Sequence, residues 1–117
     1  MTESNIADLI RRCFTAYQLK DRSMIEPLLS DDLTFSSPRD DHIDRATYFE
    51  RCWPNSMKFY KFHIEKLFVE GDEAFVRYVW EPFDGNPFRA TEFFRARDGK
   101  IVEIDVYFGR TLTSEAA

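Results

Sequence analysis

Alternation of apolar and polar positions is strongest between Phe88 and Gly109. A period of two with one apolar face is typical of half-buried antiparallel strands, so this stretch predicts two strands joined by a tight turn at Asp98 and Gly99. Their inner faces are predicted to carry Phe88, Ala90, Phe94 and Ala96 in the first strand and Val102, Ile104, Val106 and Phe108 in the second. One inner position is charged, Glu92. A carboxylate on the inner face of a sheet must be ion-paired, be protonated, or take part in binding or catalysis. Glu92 is therefore the main functional candidate.

Three further segments are predicted strands. Leu33–Ser37 is short and ends before a proline, whereas residues 58–69 and 74–81 are longer and alternate clearly. The inner face of the two longer strands is expected to hold Tyr60, Phe62, Ile64, Phe68, Ala74, Val76, Tyr78 and Trp80. Residues 38–44 are predicted to be a polar loop.

Apolar residues at helical spacing predict three helices. The first spans Thr2–Lys20, with Thr2 or Ser4 as its cap, and the second is shorter, at about Ser23–Leu29. The third covers about Asp44–Trp53, with its first residue as the cap and the proline that follows as its stop.

The order of these elements predicts the fold class. Helices, a short strand, a helix and then four consecutive strands indicate an α+β fold in one domain over residues 1–117. The amphipathic N-terminal helices are the cover available for a curved antiparallel sheet with one aromatic face. A sheet wrapped around helices makes a cone, and such a cone tends to leave a pocket at its open end.

Composition narrows the possible functions. The chain has 117 residues, of which 44% are hydrophobic and 16% aromatic, so it is long and apolar enough for one core. Its 12 phenylalanines suggest that some line a cavity. A net charge of −5 does not favour nucleic acid. Cys13 and Cys52 are expected to be buried free thiols, and no leader or membrane span is evident, so a cytoplasmic location is expected.

Glu92 has two possible roles. If it faces a cavity, loss of hydration raises its pKa, and it can then donate or accept a proton near neutral pH. The alternative is a structural role, in which it hydrogen-bonds Tyr17, Tyr78 or Trp53 and holds helix to sheet. The cavity is expected to be lined by Tyr17, Tyr48, Trp53, Phe62, Tyr78, Trp80, Phe94 and Phe108.

Other polar candidates are weaker. His42 lies among aspartates in the predicted loop, where a histidine–aspartate pair acts as a base if the loop covers the cavity; a solvated loop histidine is the alternative. The spacing there matches no established metal site, and no cofactor is predicted. Cys52 is a nucleophile only beside a base and is otherwise a buried thiol. His63 is expected on the surface.

The outer face of the predicted sheet mixes charged and apolar side chains. It is expected to carry Phe75, Arg77, Val79, Phe93, Glu103, Asp105 and Tyr107. A monomer seldom exposes that much apolar area, so this face predicts a homodimer interface.

Several stretches together resemble a known superfamily. The order helix, DD-x-T-F-S-S-P, helix, EGDEAFVRY and TEFFRARDGKIVEIDVYFG resembles the nuclear-transport-factor-2-like proteins, and within them the SnoaL-like proteins, over about Ile6 to Gly109. Their relatives include polyketide cyclases and, more distantly, ketosteroid isomerases. The resemblance implies the same cone-shaped fold and, since relatives often pair sheet to sheet, a homodimer.

The functional positions of these relatives carry over only in part. Where the isomerases have a proton-shuttling aspartate, just before Pro38, this chain has Ser37, which cannot move a proton in that way at neutral pH. Their protonated, hydrogen-bond-donating aspartate corresponds to Glu92, and their tyrosine falls near Cys13 or Tyr17. A steroid isomerase is therefore not predicted.

Two classes of function remain open. The first is binding of a small hydrophobic molecule, with isomerisation, cyclisation or dehydration by cofactor-free proton transfer at Glu92, assisted by Tyr17, Tyr78 or His42. The second is a non-catalytic ligand carrier or dimerisation module.

Overall fold

The computed structural model describes residues 3–112 and the side chains of residues 6–112. Its elements are α1 (Glu3–Leu19), α2 (Arg22–Ile25), a 3-10 turn (Glu26–Leu28), β1 (Leu29–Ser37), β2 (Asp40–Ile43), α3 (Arg45–Arg51), a second 3-10 turn (Trp53–Lys58), β3 (Phe59–Glu70), β4 (Glu73–Pro82), β5 (Phe88–Arg97) and β6 (Lys100–Thr111). The helix cap expected at Thr2 or Ser4 lies outside the described side chains. Among the described residues no helix is both long and apolar enough to cross a membrane.

The six strands form one curved sheet in the order β2-β1-β6-β5-β4-β3. Neighbours in this sheet are antiparallel except for β1 and β6, which run parallel. Helix α1 packs against β3, β4, β5 and β6. The predicted α+β class, with a sheet wrapped around the N-terminal helix, is confirmed.

The core lies between α1 and the concave face of the sheet. Ile6, Ile10, Cys13 and Ala16 recur at helical spacing and are all buried. From the sheet they meet the inner residues of β4, β5 and β6, which include Val76, Phe94, Ala96 and Ile104. The inward alternation predicted for β4 and β5 is confirmed.

The second and third helices are shorter than predicted. Pro27 falls in the first turn of the 3-10 segment that follows α2, so α2 ends at Ile25. Asp44 does cap α3, because its side chain accepts a hydrogen bond from the backbone N–H of Thr47 at 2.9 Å. The helix ends at Arg51, and Pro54 continues the chain as a 3-10 turn.

The stretch predicted as a polar loop, residues 38–44, contains a strand. The chain turns at Pro38 and Arg39, and β2 then pairs with β1, so that Ser37 faces Asp40. Strand β2 lies at the edge of the sheet, none of its residues is fully buried, and edge strands are commonly charged. The prediction was wrong because a strand without an apolar face shows no alternation.

Two of the inner positions predicted for β3, Tyr60 and Phe68, are wrong. The ladder to β4 shifts register between Phe59 and Lys61 and again between Ile64 and Lys66, and each irregularity reverses the direction of the following side chains. Tyr60 and Phe68 therefore point outward, with Phe68 68% exposed. Leu67 and Val69 face the core instead.

The β5–β6 ladder is irregular at both ends. Near the hairpin, Ile101 joins the core, whereas Val102, predicted on the inner face, is buried but lies outside the core cluster. At the other end, Gly109 lies so close to β5 that a Cβ atom would come within 2.4 Å of the Arg89 carbonyl oxygen. Irregularities of this kind bend strands and so help to curve the sheet over the helix.

Candidate ligand-binding cavity

A cavity of about 430 Å³ lies between α1, the second 3-10 turn and the concave face of the sheet. Most of its wall is aromatic or aliphatic. It includes eight of the predicted site residues, Tyr17, Tyr48, Phe62, Tyr78, Trp80, Glu92, Phe94 and Phe108. The volume falls in the range of small-molecule sites, and an apolar wall with a few polar groups is typical of them.

Glu92 is an acidic residue in the middle of this apolar wall. It sits in β5 between Val76 of β4 and Val106 of β6, which offer it no polar side chain. The Tyr78 hydroxyl reaches it diagonally across the β4–β5 ladder and donates a hydrogen bond to Oε1 at 2.5 Å. Loss of hydration raises the pKa of Glu92 to about 7, against the opposing effect of the Tyr78 hydrogen bond.

Two tyrosines form a second polar pair in the cavity wall. Tyr17 of α1 and Tyr48 of α3 are joined by a hydrogen bond between their hydroxyls. Burial raises the pKa of both hydroxyls, and the charge of Glu92 raises them further. Both groups therefore stay protonated. One hydroxyl donates within the pair, which leaves the proton of the other available to a ligand.

Trp53 and His42 do not line this cavity. The Trp53 ring packs edge-on against Tyr17, with ring centroids 4.8 Å apart, and so supports the wall from behind. His42 lies on β2, where its Nδ1 is 2.6 Å from Asp41 Oδ1 and its side chain is 70% exposed. That hydrogen bond raises the His42 pKa, but the geometry gives His42 no part in chemistry at Glu92.

A second carboxylate in the wall, Asp40, was missed by the sequence analysis. Its side chain is only 9% exposed, and Oδ1 accepts hydrogen bonds from the Arg51 guanidinium at 2.7 and 2.8 Å. Oδ2 accepts from the Ser37 hydroxyl at 3.4 Å and from the Cys52 thiol at 3.8 Å. Since residues 38–44 were predicted to be a loop, no pattern indicated that Asp40 would point inward.

Both cysteines are free thiols in the cavity wall. Burial raises the pKa of Cys13, and burial followed by the nearby Asp40 raises the pKa of Cys52 to about 12. The thiol forms therefore dominate at neutral pH, so the buried-thiol interpretation of Cys52 fits better than a nucleophile. Among the described side chains, no three His, Cys, Asp or Glu residues are grouped as a metal site would require.

The solvent-exposed members of the wall mark where the cavity opens. They are Arg39, Asn55, Lys58 and Phe108. A more open polar groove lined by Ser36, Asp41, His42 and Asp105 shares Ser37, Arg39 and Asp40 with the cavity wall. The cavity thus has an apolar interior, an acid at Glu92 and a polar rim.

Comparison with protein families gives one match over most of the chain. A family model described as a SnoaL-like domain matches residues 10–104. No curated protein is similar enough in sequence to count as a relative.

Solved structures with the same fold carry different descriptions. An NTF2-like protein of unknown function from Mesorhizobium loti is 25% identical, with a TM-score of 0.75 over 92% of this chain and 93% of that one. A protein from Kribbella flavida, provisionally described as a ketosteroid isomerase, is 17% identical (TM-score 0.79, 95% and 82% covered). An LEH-like epoxide hydrolase from M. tuberculosis is 15% identical (TM-score 0.76, 92% and 84% covered). The likeness to the last two concerns fold alone.

Proposed function

The chain belongs to the SnoaL-like domain family, and on that premise we propose that it binds a small, mostly apolar molecule in the cavity and moves a proton on that molecule through Glu92. The observation that carries the proposal is the position of Glu92. It is an acid with a pKa of about 7, enclosed by aromatic and aliphatic side chains and hydrogen-bonded to Tyr78. Carboxyl groups tuned in this way are concentrated at functional sites.

The geometry supports a defined division of roles. With a pKa near the ambient pH, Glu92 is present both as acid and as base, which is the condition for efficient general acid–base catalysis. The hydroxyl proton of the Tyr17–Tyr48 pair that is not used within the pair can be donated in a hydrogen bond to a ligand oxygen, such as a ketone carbonyl. The reaction class is then cofactor-free isomerisation, cyclisation or dehydration, with Glu92 removing or returning a proton beside that carbonyl.

Binding is tested with a neutral aromatic dye, N-phenylnaphthylamine. We expect it to bind in the cavity, with the methyl NMR signals of Ile25, Ile104 and Val106 shifting because these residues line the wall. The methyl signals of Val102, which does not line the cavity, serve as the internal control. The proposal fails if no dye binds, or if the cavity methyls stay unchanged while the dye saturates.

Catalysis is tested with the bicyclic ketone β-tetralone, whose α-protons exchange slowly with D2O. We expect the protein to speed this exchange and Glu92→Gln to lower the protein-dependent rate by about 100-fold or more, as for loss of a general base. The matched control is Glu103→Gln, since Glu103 pairs with Arg95 away from the cavity. Equal rates for Glu92→Gln and the wild type would remove the catalytic part of the proposal.

The second candidate function is a ligand carrier without turnover. Ser37 favours it, because this position offers no base where the isomerases have one. A carrier would bind the dye in the cavity yet leave the exchange rate of β-tetralone at its value in buffer.

We also propose a homodimer formed through the outer face of the sheet. Phe68, Phe75 and Tyr107 are exposed there, and Phe75 packs on Phe93 at a centroid distance of 5.2 Å. Opposite charges are interspersed among them, as in the pair Arg95–Glu103. A two-fold interface has to be self-complementary, which a face with both signs of charge permits.

A further inference from the structure

Four charged side chains line the cavity, and they are not equivalent. Glu92 lies inside, whereas Arg39, Asp40 and Lys58 lie toward the opening. Asp40 is already paired with the guanidinium of Arg51. Its negative charge is therefore offset within the protein, and the charges left without a partner at the opening are two cations.

Arg39 and Lys58 have no ion pair with any described residue. The ion pairs of the described part of the chain use other cations. Nine of the 16 lysines and arginines have no ion pair among the described residues, and of these nine only Arg39 and Lys58 line the cavity. Both side chains are exposed and both belong to the cavity wall.

Backbone hydrogen bonds fix the main chain at both residues, from which the charged side chains extend. The N–H of Arg39 donates to the Ser37 hydroxyl at 3.1 Å, which fixes the turn between β1 and β2. The carbonyl of Lys58 accepts a hydrogen bond from the Phe83 N–H at 2.9 Å, which ties the second 3-10 turn to the end of β4. The two positive groups are thus presented from structured turns on elements that are far apart in sequence.

We propose that the ligand of this cavity is an amphiphilic anion: an apolar body that fills the aromatic interior and a carboxylate or similar anionic group that Arg39 and Lys58 bind at the opening. This inference rests on the proposed function, because it takes the cavity to be the binding site. A guanidinium and an ammonium group bind carboxylate, sulfonate or phosphate oxygens by charge-assisted hydrogen bonds. The anionic end stays near solvent, so its hydration is lost only in part, while the body reaches Glu92.

The test uses two dyes with the same aromatic body. Anilinonaphthalene sulfonate carries an anionic group that N-phenylnaphthylamine lacks. We expect Arg39→Gln and Lys58→Gln each to weaken binding of the sulfonate dye about threefold to fivefold, as for partly exposed ion pairs. Binding of the neutral dye should stay within experimental error. Raising the ionic strength to about 1 M, where charges are screened beyond about 3 Å, should weaken only the sulfonate dye.

Two exposed cations away from the cavity provide controls that change the net charge equally. Arg11 on α1 and Lys66 on β3 are exposed, have no ion pair among the described residues and do not line the cavity. Arg11→Gln and Lys66→Gln should leave both dyes unaffected, and Arg39→Lys should retain most of the affinity for the sulfonate dye. Thermal unfolding of each variant confirms that it is folded.

The outcomes separate this inference from the proposed function. If the neutral dye enters the cavity but the sulfonate dye responds no more to Arg39→Gln and Lys58→Gln than to the two controls, the anionic ligand class is wrong and the cavity remains a binding site. If neither dye shifts the cavity methyl signals, the proposed function is wrong and this inference with it.

Discussion

The pKa of Glu92 is set by the side chains of the neighbouring strands. Its two cross-strand partners are valines, so the one hydrogen bond it receives in the described structure comes from Tyr78. Loss of hydration outweighs that bond, and the pKa rises to about 7. The same hydrogen bond holds the carboxyl group in place within the cavity wall, but it joins β4 to β5 rather than a helix to the sheet.

The raised pKa of Glu92 predicts a dependence of stability on pH. The folded protein holds this proton up to about pH 7, whereas the unfolded chain releases it near the ordinary value of 4.5. Between these two values the folded state binds more protons, so the free energy of unfolding falls as pH rises. The contribution of Glu92 to this fall is about 3 kcal/mol in all.

Urea denaturation across that pH range measures the effect. Glu92→Gln removes the titrating group and should flatten the profile by that amount. Parallel profiles for the wild type and Glu92→Gln would show that Glu92 has no raised pKa in the folded state.

Tyr78→Phe tests the partner of Glu92. The Tyr78 hydroxyl stabilises the charged carboxylate and lowers its pKa, so removing it should shift the Glu92 pKa upward from about 7. The exchange of β-tetralone, if catalysed, should then reach its maximum at higher pH. Tyr60→Phe is the matched control, because Tyr60 bonds to Glu81 on the exposed end of β3. An unchanged pH profile would contradict the assignment.

The site residues differ in how far the sequence could predict them. Glu92 was predictable because a charge interrupts an apolar face, and this anomaly is visible without the structure. Asp40 was not, because the sequence of β2, Asp-Asp-His-Ile, shows no alternation that indicates which side chains turn inward. Neither His42 nor Trp53 lines the cavity: His42 is exposed, as the alternative interpretation expected, and Trp53 is buried behind Tyr17.

At the scale of elements, alternation predicted the strands well but failed at their irregularities. The Asp98–Gly99 turn was predicted from residues that tolerate positive φ, and their φ values are 54° and 79°. The register shift in β3 between Ile64 and Lys66 has no comparable signature in the sequence, so Phe68 was assigned to the wrong face.

Gly109→Ala tests how far a strand irregularity shapes the cavity. The added methyl would meet the Arg89 carbonyl oxygen at 2.4 Å, so β5 and β6 must move apart beside Phe108, a cavity residue. We expect a loss of about 1–3 kcal/mol of stability, as for overpacking, together with weaker binding of the neutral dye.

Gly71→Ala provides the comparison for that variant. Nothing lies within 4 Å of the added methyl at Gly71, but its φ of +61° is left-handed. It should lose about 1–2 kcal/mol from backbone strain alone and bind the dye normally. Equal dye binding by both variants would show that the Gly109 contact does not shape the cavity.

At the scale of the molecule, the fold limits function without fixing it. The order of helices and strands was enough to predict an α+β cone, and the SnoaL-like family match confirms the resemblance noticed in the sequence. Proteins with this fold are described as a hydrolase, provisionally as an isomerase, or without a function. The function must therefore be argued from the side chains that line the cavity.

The proposed homodimer is tested at its apolar centre. Phe75 is 48% exposed on the outer face, and Phe75→Glu would place a charge in the middle of the interface. We expect light scattering with size-exclusion chromatography to show a dimer for the wild type and a monomer for this variant. Phe83→Glu is the control, since Phe83 is also an exposed phenylalanine but lies in the turn after β4. A monomeric wild type would refute the dimer.

The proposed proton transfer depends most directly on the pKa of Glu92. A carbon-detected NMR titration of the side-chain carboxyl, assigned by its loss in Glu92→Gln, measures it in the unliganded protein. A midpoint of about 7 is predicted, because the apolar wall removes hydration from the charged form. A midpoint near 4.5 or below would mean a hydrated or ion-paired carboxylate, and would contradict both the enclosed site and the proton transfer assigned to it.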